Sequence, residues 1–226
     1  MAADFASDFT FFIQAFIAIF SIVNPLSGVM AFISITSHMS KEDRIYVAKR
    51  CSFIACIIAI IFALSGEYIL QNLFQITVNH LRVAGGVLLF LVAMDMLFGR
   101  ITRESITSEE LKDAAQREDV SIFPMAMPML TGPGAITTII LYTATGTDKI
   151  KAAEYNLDPI SAKIIVIGAI LLTFVITFLI FRFSDYFNKA VGLTGMMVMT
   201  RLMGLFLGAI AVSFIADGIK GLFGLS

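Results

Sequence analysis

Two apolar stretches of this 226-residue chain are interrupted in the same way, and the interruptions constrain its fold more than any other feature. The first reads Phe16-Ile17-Ala18-Ile19-Phe20-Ser21-Ile22-Val23-Asn24-Pro25-Leu26-Ser27-Gly28. The second reads Pro124-Met125-Ala126-Met127-Pro128-Met129-Leu130-Thr131-Gly132-Pro133-Gly134-Ala135. Four of the five prolines fall here, inside runs otherwise apolar enough to cross a bilayer. Proline removes a helix hydrogen bond and glycine loosens the backbone, so both segments are expected to be helices broken near mid-membrane. Paired breaks at matching places in two halves are the sequence pattern of a transporter's binding site.

Hydrophobic residues make up 58% of the chain and charged residues only 15%. At a mean hydropathy of +0.89, a soluble domain of this size could not bury so much apolar surface, so a lipid-embedded protein is expected. A net charge of −1 gives no electrostatic ground for a nucleic-acid partner. Cys51 and Cys56 lack the spacing of a redox pair and read as small hydrophobes of one apolar segment. The N-terminus carries Asp4 and Asp8 with no basic residue before its long apolar run, which is not the pattern of a cleavable signal.

Mainly apolar segments long enough to span occur at 9–36, 46–66, 81–99, 120–145, 161–182 and 198–221. The first and fourth are the longest and hold the breaks, which suits helices with an unwound stretch. Basic residues concentrate in alternate linkers: Lys41, Arg44, Lys49 and Arg50; Arg100, Arg103, Lys112 and Arg117; Arg182 and Lys189. By the positive-inside rule these linkers face the cytoplasm and both termini face the periplasm, in a multi-pass inner-membrane protein. The segment 100–119 is also rich in acids and reads as a solvated cytoplasmic linker.

The two halves resemble one another. Pro25 aligns with Pro133, Gly66-Glu67-Tyr68 with Ser184-Asp185-Tyr186, and Arg82-Val83-Ala84-Gly85 with Arg201-Leu202-Met203-Gly204. The offsets are 108, 118 and 119 residues, in the same order along the chain. Residues 1–99 and 120–226 would then each hold three spans. An odd number makes the second copy enter the membrane the other way up. The expected fold is therefore an all-α polytopic membrane protein of six transmembrane helices. It would be built as two inverted-topology three-helix repeats, with helices one and four discontinuous.

Asn24 before Pro25 has the grammar of a helix start, since Asn caps free N–H groups and Pro takes the first helical position. Thr131-Gly132-Pro133 repeats that grammar. The second half-helices would present N–H groups and positive dipole ends to a carboxylate, and the preceding half-helices free C=O groups to an ammonium or coupling cation. No Lys, Arg, Asp or Glu lies in 9–36 or 120–145, so a substrate of large net charge would meet no counter-charge. Ser27, Gly28, Gly134 and Ala135 are small. The candidate substrate-binding residues are thus Asn24, Pro25, Ser27, Gly28, Thr131, Gly132, Pro133, Gly134 and Ala135, and the expected cargo is a small zwitterion.

Asp95 is the acid most plainly inside a span and the candidate for proton or sodium coupling. At about 1.5 Å per residue it lies about 20 Å from Arg82, toward the cytoplasmic end, where capping at the interface is the competing role. Arg82 and Arg201 open spans three and six, and Glu67 and Asp185 close the spans before them, so a salt bridge within each hairpin is expected. Gly85-Gly86 and Gly204 with Gly208 read as close helix-packing contacts. His38, His80 and the run Met125, Met127 and Met129 have no metal-ligand partners in sequence, and neither metal nor cofactor is expected. Buried Cys pairs, haem histidines and clustered acids are absent, so nothing in the residues indicates an enzyme.

Val23-Asn24-Pro25-Leu26-Ser27-Gly28, Phe123-Pro124-Met125-Ala126-Met127-Pro128, Thr131-Gly132-Pro133-Gly134-Ala135-Ile136 and Arg82-Val83-Ala84-Gly85-Gly86-Val87-Leu88-Leu89-Phe90 resemble the MarC family of integral membrane proteins. That family includes the SnatA-type small neutral amino acid transporters. The likeness covers nearly the whole chain and implies six spans in an inverted repeat, with transport of glycine- or alanine-like substrates. Ser27 adds a hydroxyl where the family commonly has glycine. The competing functions are export of amino acids or other small metabolites, and a non-transporting assembly or regulatory role. Expected partners are a small neutral amino acid and the lipid bilayer, with homo-oligomer formation left open.

Overall fold

The computed structural model describes residues 2–99, 120–144 and 158–224. The expected linker 100–119 and the loop 145–157 lie outside the described residues. The fold is all-helical, with no strand among the described residues. In chain order the helices are α1 (Ala2–Val23), α2 (Pro25–Ile35), α3 (Lys41–Tyr68), α4 (Val78–Phe98), α5 (Pro133–Thr143), α6 (Pro159–Arg182) and α7 (Ser184–Phe223). Five helical stretches are long and apolar enough to span: Ser7–Ile35, Lys41–Leu73, Val78–Phe98, Pro159–Arg182 and Thr194–Phe223. The pair Ser121–Leu130 and Pro133–Thr143 passes the same test together, bent by 57°, and makes a sixth span where the two helices are counted as one.

Local chemistry sets the helix ends. Ser40 caps α3, accepting from the Asp43 N–H at 3.2 Å. Asp158 caps α6, accepting from the Ile160 and Ser161 amides at 3.1 and 3.2 Å. The Ser161 hydroxyl donates to the same carboxylate and, with that residue's N–H, holds the Asp158 carboxyl below its usual value. Thr77 caps α4, and Gly99 ends it at φ 65°, a left-handed turn that glycine makes without a Cβ penalty. In α7 the backbone leaves helical geometry at Gly192 (φ 66°, ψ 172°), which separates a short leading segment from the span.

Small residues let the spans approach closely, beside large buried side chains such as Phe11, Phe32, Ile170 and Phe181. The inward face of α3 is Ala48, Cys51, Ser52, Ala55, Ala59, Ala63 and Gly66, and that of α6 includes Ala162, Ala169, Thr173 and Thr177. Lipid tails give helices no hydrophobic reason to associate, so close backbone approach and dispersion must hold them. The threonines satisfy their own hydroxyls, Thr173 on the Ala169 carbonyl and Thr177 on the Thr173 carbonyl, both at 2.8 Å. Large apolar side chains such as Phe53, Leu64, Ile164 and Leu205 point outward, as a lipid-facing surface requires. Cys51 and Cys56 are free thiols within α3.

Two antiparallel pairs dominate. In the α4–α7 pair a methyl at Gly86 would lie 2.7 Å from Ile215, one at Gly204 would lie 2.8 Å from Met96, and one at Gly218 would lie 2.8 Å from Val83. Gly204 is therefore the close-packing glycine its spacing suggested. In the α3–α6 pair, Arg44 at the start of α3 meets Asp185 just past the end of α6, and Lys163 at the start of α6 meets Glu67 at the end of α3. This corrects the expected hairpin bridge at Asp185, which pairs with Arg44 and not with Arg201. Helices distant in sequence lie closer here than hairpin neighbours.

Candidate functional site

The first break occupies a single residue. Asn24 sits in the left-handed region at φ 44°, ψ 59°, a conformation that Asn tolerates better than most residues. Helical geometry is disfavoured there by the following proline. Asn24 N–H still donates to the Phe20 carbonyl at 3.0 Å, and its own carbonyl accepts from Gly28 N–H at 3.2 Å. The chain thus passes through the break as one 29-residue span. Pro25 brings no N–H, and the Ser27 amide turns to the Asn24 side chain at 3.4 Å. The carbonyls of Ser21 and Val23 therefore lose their in-helix donors.

The second break is wider. Phe123 (φ −125°, ψ 126°) and Met127 (φ −137°, ψ 126°) are extended, each immediately before a proline in a cis peptide linkage. A wide turn closes around each, with Met125 N–H on the Val120 carbonyl at 3.4 Å and Thr131 N–H on the Ala126 carbonyl at 3.0 Å. The expected regular half-helix before Thr131 is therefore corrected to an irregular segment, because residues preceding Pro124 and Pro128 are forced out of helical backbone. Pro133 then opens α5 with Gly132 at the cap position, where no side chain bonds the helix end. Thr131 is not the cap; its buried hydroxyl donates to the Ala55 carbonyl of α3 at 3.2 Å and moors the break to span two. A Cβ at Gly132 would lie 2.7 Å from the Pro128 carbonyl oxygen, so the close approach of backbone requires glycine.

The two breaks cross one another. A methyl at Gly28, just past the first, would lie 3.5 Å from Met129 Cε, just before the second. A methyl at Gly134, just past the second, would lie 3.0 Å from Ile22 Cδ1, just before the first. The contact is reciprocal: each half-helix leaving a break meets the chain entering the other. The half-helices α2 and α5 have the same length, 11 residues, which is about 16 Å and half of a hydrocarbon core of about 30 Å. Pro25, Gly28, Thr131, Gly134 and Ala135 are buried at the crossing, Asn24 and Gly132 are half-buried, and Ser27 and Pro133 are exposed.

Sequence reasoning missed one polar group at the first break. Thr200 of α7 shares a hydrogen bond of 2.7 Å with Ser27, whose Oγ also accepts from Asn24 Nδ2 at 2.9 Å. Thr200 sits in an apolar run, and only the packing of α7 against α2 reveals it. Nearby, the Ser21 hydroxyl donates to Met203 Sδ at 3.4 Å. Arg201, beside Thr200, reaches Gly99 at the end of α4, its Nη2 3.4 Å from where a Cβ would stand. If the Ser27–Thr200 pair shapes the site, Thr200→Val should lower solute uptake about three- to tenfold, the worth of one neutral hydrogen bond, at unchanged expression. Uptake equal to that of the parent protein would remove Thr200 from the site.

Asp95 lies in the last turn of α4, where its carbonyl accepts from the Gly99 N–H. Leu89, the α4 residue facing Gly134, is six positions earlier, about 9 Å along the helix. Asp95 is thus on the membrane edge side of the crossing. Among the described residues no group of three or more His, Cys, Asp or Glu could hold a metal ion.

A family model described as MarC family integral membrane protein matches residues 9–223. A UPF0056 membrane protein of Methanocaldococcus jannaschii is 38% identical over 95% of this chain and 98% of its own. Another from Aquifex aeolicus is 34% identical over 93% of each chain, and the UPF0056 membrane protein YhcE of Escherichia coli is 34% identical over 96% of this chain and 95% of its own. No solved structure matches.

Proposed function

We propose that this chain, which belongs to the MarC family of integral membrane proteins, is a secondary transporter of small neutral amino acids such as glycine and alanine. The observation that carries the reading is the reciprocal crossing of two equal half-length helices, with Gly28 against Met129 and Gly134 against Ile22. Half-helix ends meeting at mid-membrane offer N–H groups and unpaired carbonyls where the rest of the bilayer offers neither. The first turn of α5 lacks a side-chain cap, which leaves its amides for a carboxylate. The Ser21 and Val23 carbonyls at the other break suit an ammonium group. No ionised side chain lies in 9–36 or 120–145, around either break, which favours a zwitterion over an ion. The residues beside the breaks, Ser27, Gly28, Gly134 and Ala135, are small, which suits a substrate with little side group.

Rocking of one three-helix half, 1–99, against the other, 120–226, would alternate access to the site. Contacts that exchange between halves support such a relation. Gly99 faces Arg201 while Gly218 faces Arg82, and Met96 faces Gly204 while Gly86 faces Ile215. Arg82 to Arg201, Gly99 to Gly218 and Met96 to Ile215 are offsets of 119 residues and Gly86 to Gly204 one of 118, the two offsets read from the later sequence matches. With basic residues in excess at the end bearing the first linker, the positive-inside rule would put that end in the cytoplasm and the termini in the periplasm.

Purified protein in liposomes should take up labelled glycine and alanine, with leucine, lysine and glutamate failing to compete. Imposed proton and sodium gradients, applied separately, identify the coupling ion, and loading from either side separates import from export. Uptake confined to large or strongly charged solutes would refute the reading. Asp95→Asn should leave the gradient dependence unchanged, because Asp95 sits near the end of α4 and away from the crossing. Loss of proton or sodium dependence in that variant would make Asp95 the coupling group instead.

A further inference from the structure

The α3–α6 pair is tied at both ends, and the two ties are unequal. At the first-linker end, Arg44 holds Asp185 fork to fork, Nη1 to Oδ2 and Nη2 to Oδ1 both at 3.0 Å. The same Nη2 donates to Ser184 Oγ at 3.1 Å. The guanidinium also lies over the Phe32 ring, 5.9 Å from its centroid, and Phe32 stacks on Phe181 with centroids 4.9 Å apart and planes 12° apart. This cluster joins α2, α3 and the α6–α7 corner. Phe181 belongs to the site's own wall, since a methyl at Gly28 would lie 3.0 Å from its ring. At the opposite end, Lys163 Nζ meets Glu67 Oε2 at 3.8 Å.

The two ties are one device seen twice. Arg44 to Lys163 is an offset of 119 residues and Glu67 to Asp185 one of 118, the register of the repeat. Each base therefore stands where the other half has its counterpart, and pairs with the acid of the opposite half. In a molecule whose halves are related by an inverted two-fold, the second access state is reached by exchanging their conformations. A contact tight in one half and loose in the other then trades places.

We propose that Arg44–Asp185 and Lys163–Glu67 are alternating latches of a two-sided gate. In the state described here the Arg44 latch is closed and shuts the first-linker end, while the Lys163 latch is slack. The chemistry also sets a resting preference, because guanidinium makes a planar bidentate fork and ammonium only a point contact. Partly exposed pairs are weak, but a weak latch is enough to bias two nearly balanced states. The inference rests on the transporter reading and not on the identity of the cargo.

The test needs no solute. With Cys51→Ser and Cys56→Ser removing the native thiols, Ser27→Cys reports access to the crossing by reaction with a membrane-impermeant maleimide. Right-side-out and inverted membrane vesicles give the two faces. Asp185→Asn should raise labelling from the first-linker face by about threefold, the scale of a weak ion pair, and lower it from the other. Glu67→Gln should do the reverse. Exchanging the charges, Arg44→Asp with Asp185→Arg, should return the parent pattern, and Arg44→Lys should give a smaller shift in the direction of Asp185→Asn. Shifts of the same sign in the Asp185 and Glu67 variants, or none, would overturn the latches, as would failure of the exchange to restore. Opposite shifts in a protein that carries no glycine would leave the latches standing and refute the cargo alone.

Discussion

Leucine in place of Gly132 is expected to abolish uptake of glycine and alanine. The reason is backbone and not side-chain crowding: even a Cβ at this position would stand 2.7 Å from the Pro128 carbonyl oxygen. A carbonyl held between an irregular turn and the start of α5 has no rotamer by which to retreat, so the chain itself must move. Overpacking of this kind costs about 1–3 kcal/mol. Here it falls on the hinge that sets the 57° bend. Alanine at Gly132 should already lower uptake by at least about tenfold if about 1.4 kcal/mol of that cost reaches the transport cycle. Gly208 supplies the control, because a methyl there would meet only Ala93 Cβ at 3.6 Å, an ordinary contact. Gly208→Ala should transport as the parent does. Uptake per reconstituted protein, with thermal stability by size-exclusion, separates loss of function from loss of fold.

Pro25→Ala should also silence transport, but by mending the helix instead of crowding it. Alanine restores an N–H that can reach the Ser21 carbonyl and lifts the restriction that holds Asn24 at φ 44°. Left-handed geometry costs a non-glycine residue about 1–2 kcal/mol, and in lipid a recovered backbone hydrogen bond adds to the gain. The variant should therefore stay folded, with a melting temperature at or above the parent's, while uptake falls by at least about tenfold if one such hydrogen-bonding site is lost. Retained uptake in a folded Pro25→Ala protein would mean that the first break is an ordinary kink.

The sequence and the structure agree where hydropathy alone decides. The expected segments 9–36 and 161–182 became Ser7–Ile35 and Pro159–Arg182, within a few residues at each end. Span two proved longer than 46–66 because its first turns are polar. Lys41, Glu42, Asp43 and Arg44 extend the helix beyond the apolar run, with Ser40 as cap, and an apolar tally cannot register them. Both break positions were legible, since proline acts on its own neighbours. The shape of Ser121–Leu130 was not, for two closely spaced prolines act together on Phe123 and Met127 and leave no room for a helical turn between.

Side-chain partners across the bundle were the least legible part. The expected register aligned Glu67 with Asp185, yet the bridge at Asp185 was assigned within a hairpin. The antiparallel packing of α3 on α6 brought Arg44 to it instead. Thr200 escaped for the same reason: a hydroxyl in an apolar run gains meaning only when another helix, here carrying Ser27, packs on it. Local rules reach a few residues along the chain, and these pairs are separated by more than a hundred.

The most direct test of the crossing as the binding site is substrate protection. In the Cys51→Ser, Cys56→Ser background, maleimide modification of Ser27→Cys, and in parallel of Ala135→Cys, is timed with and without added amino acids. Glycine and alanine should slow the reaction at both positions, over the concentrations that saturate uptake, while leucine, lysine and glutamate leave it unchanged. Glycine transported by the parent protein without protection at either position would place the cargo elsewhere and contradict the account.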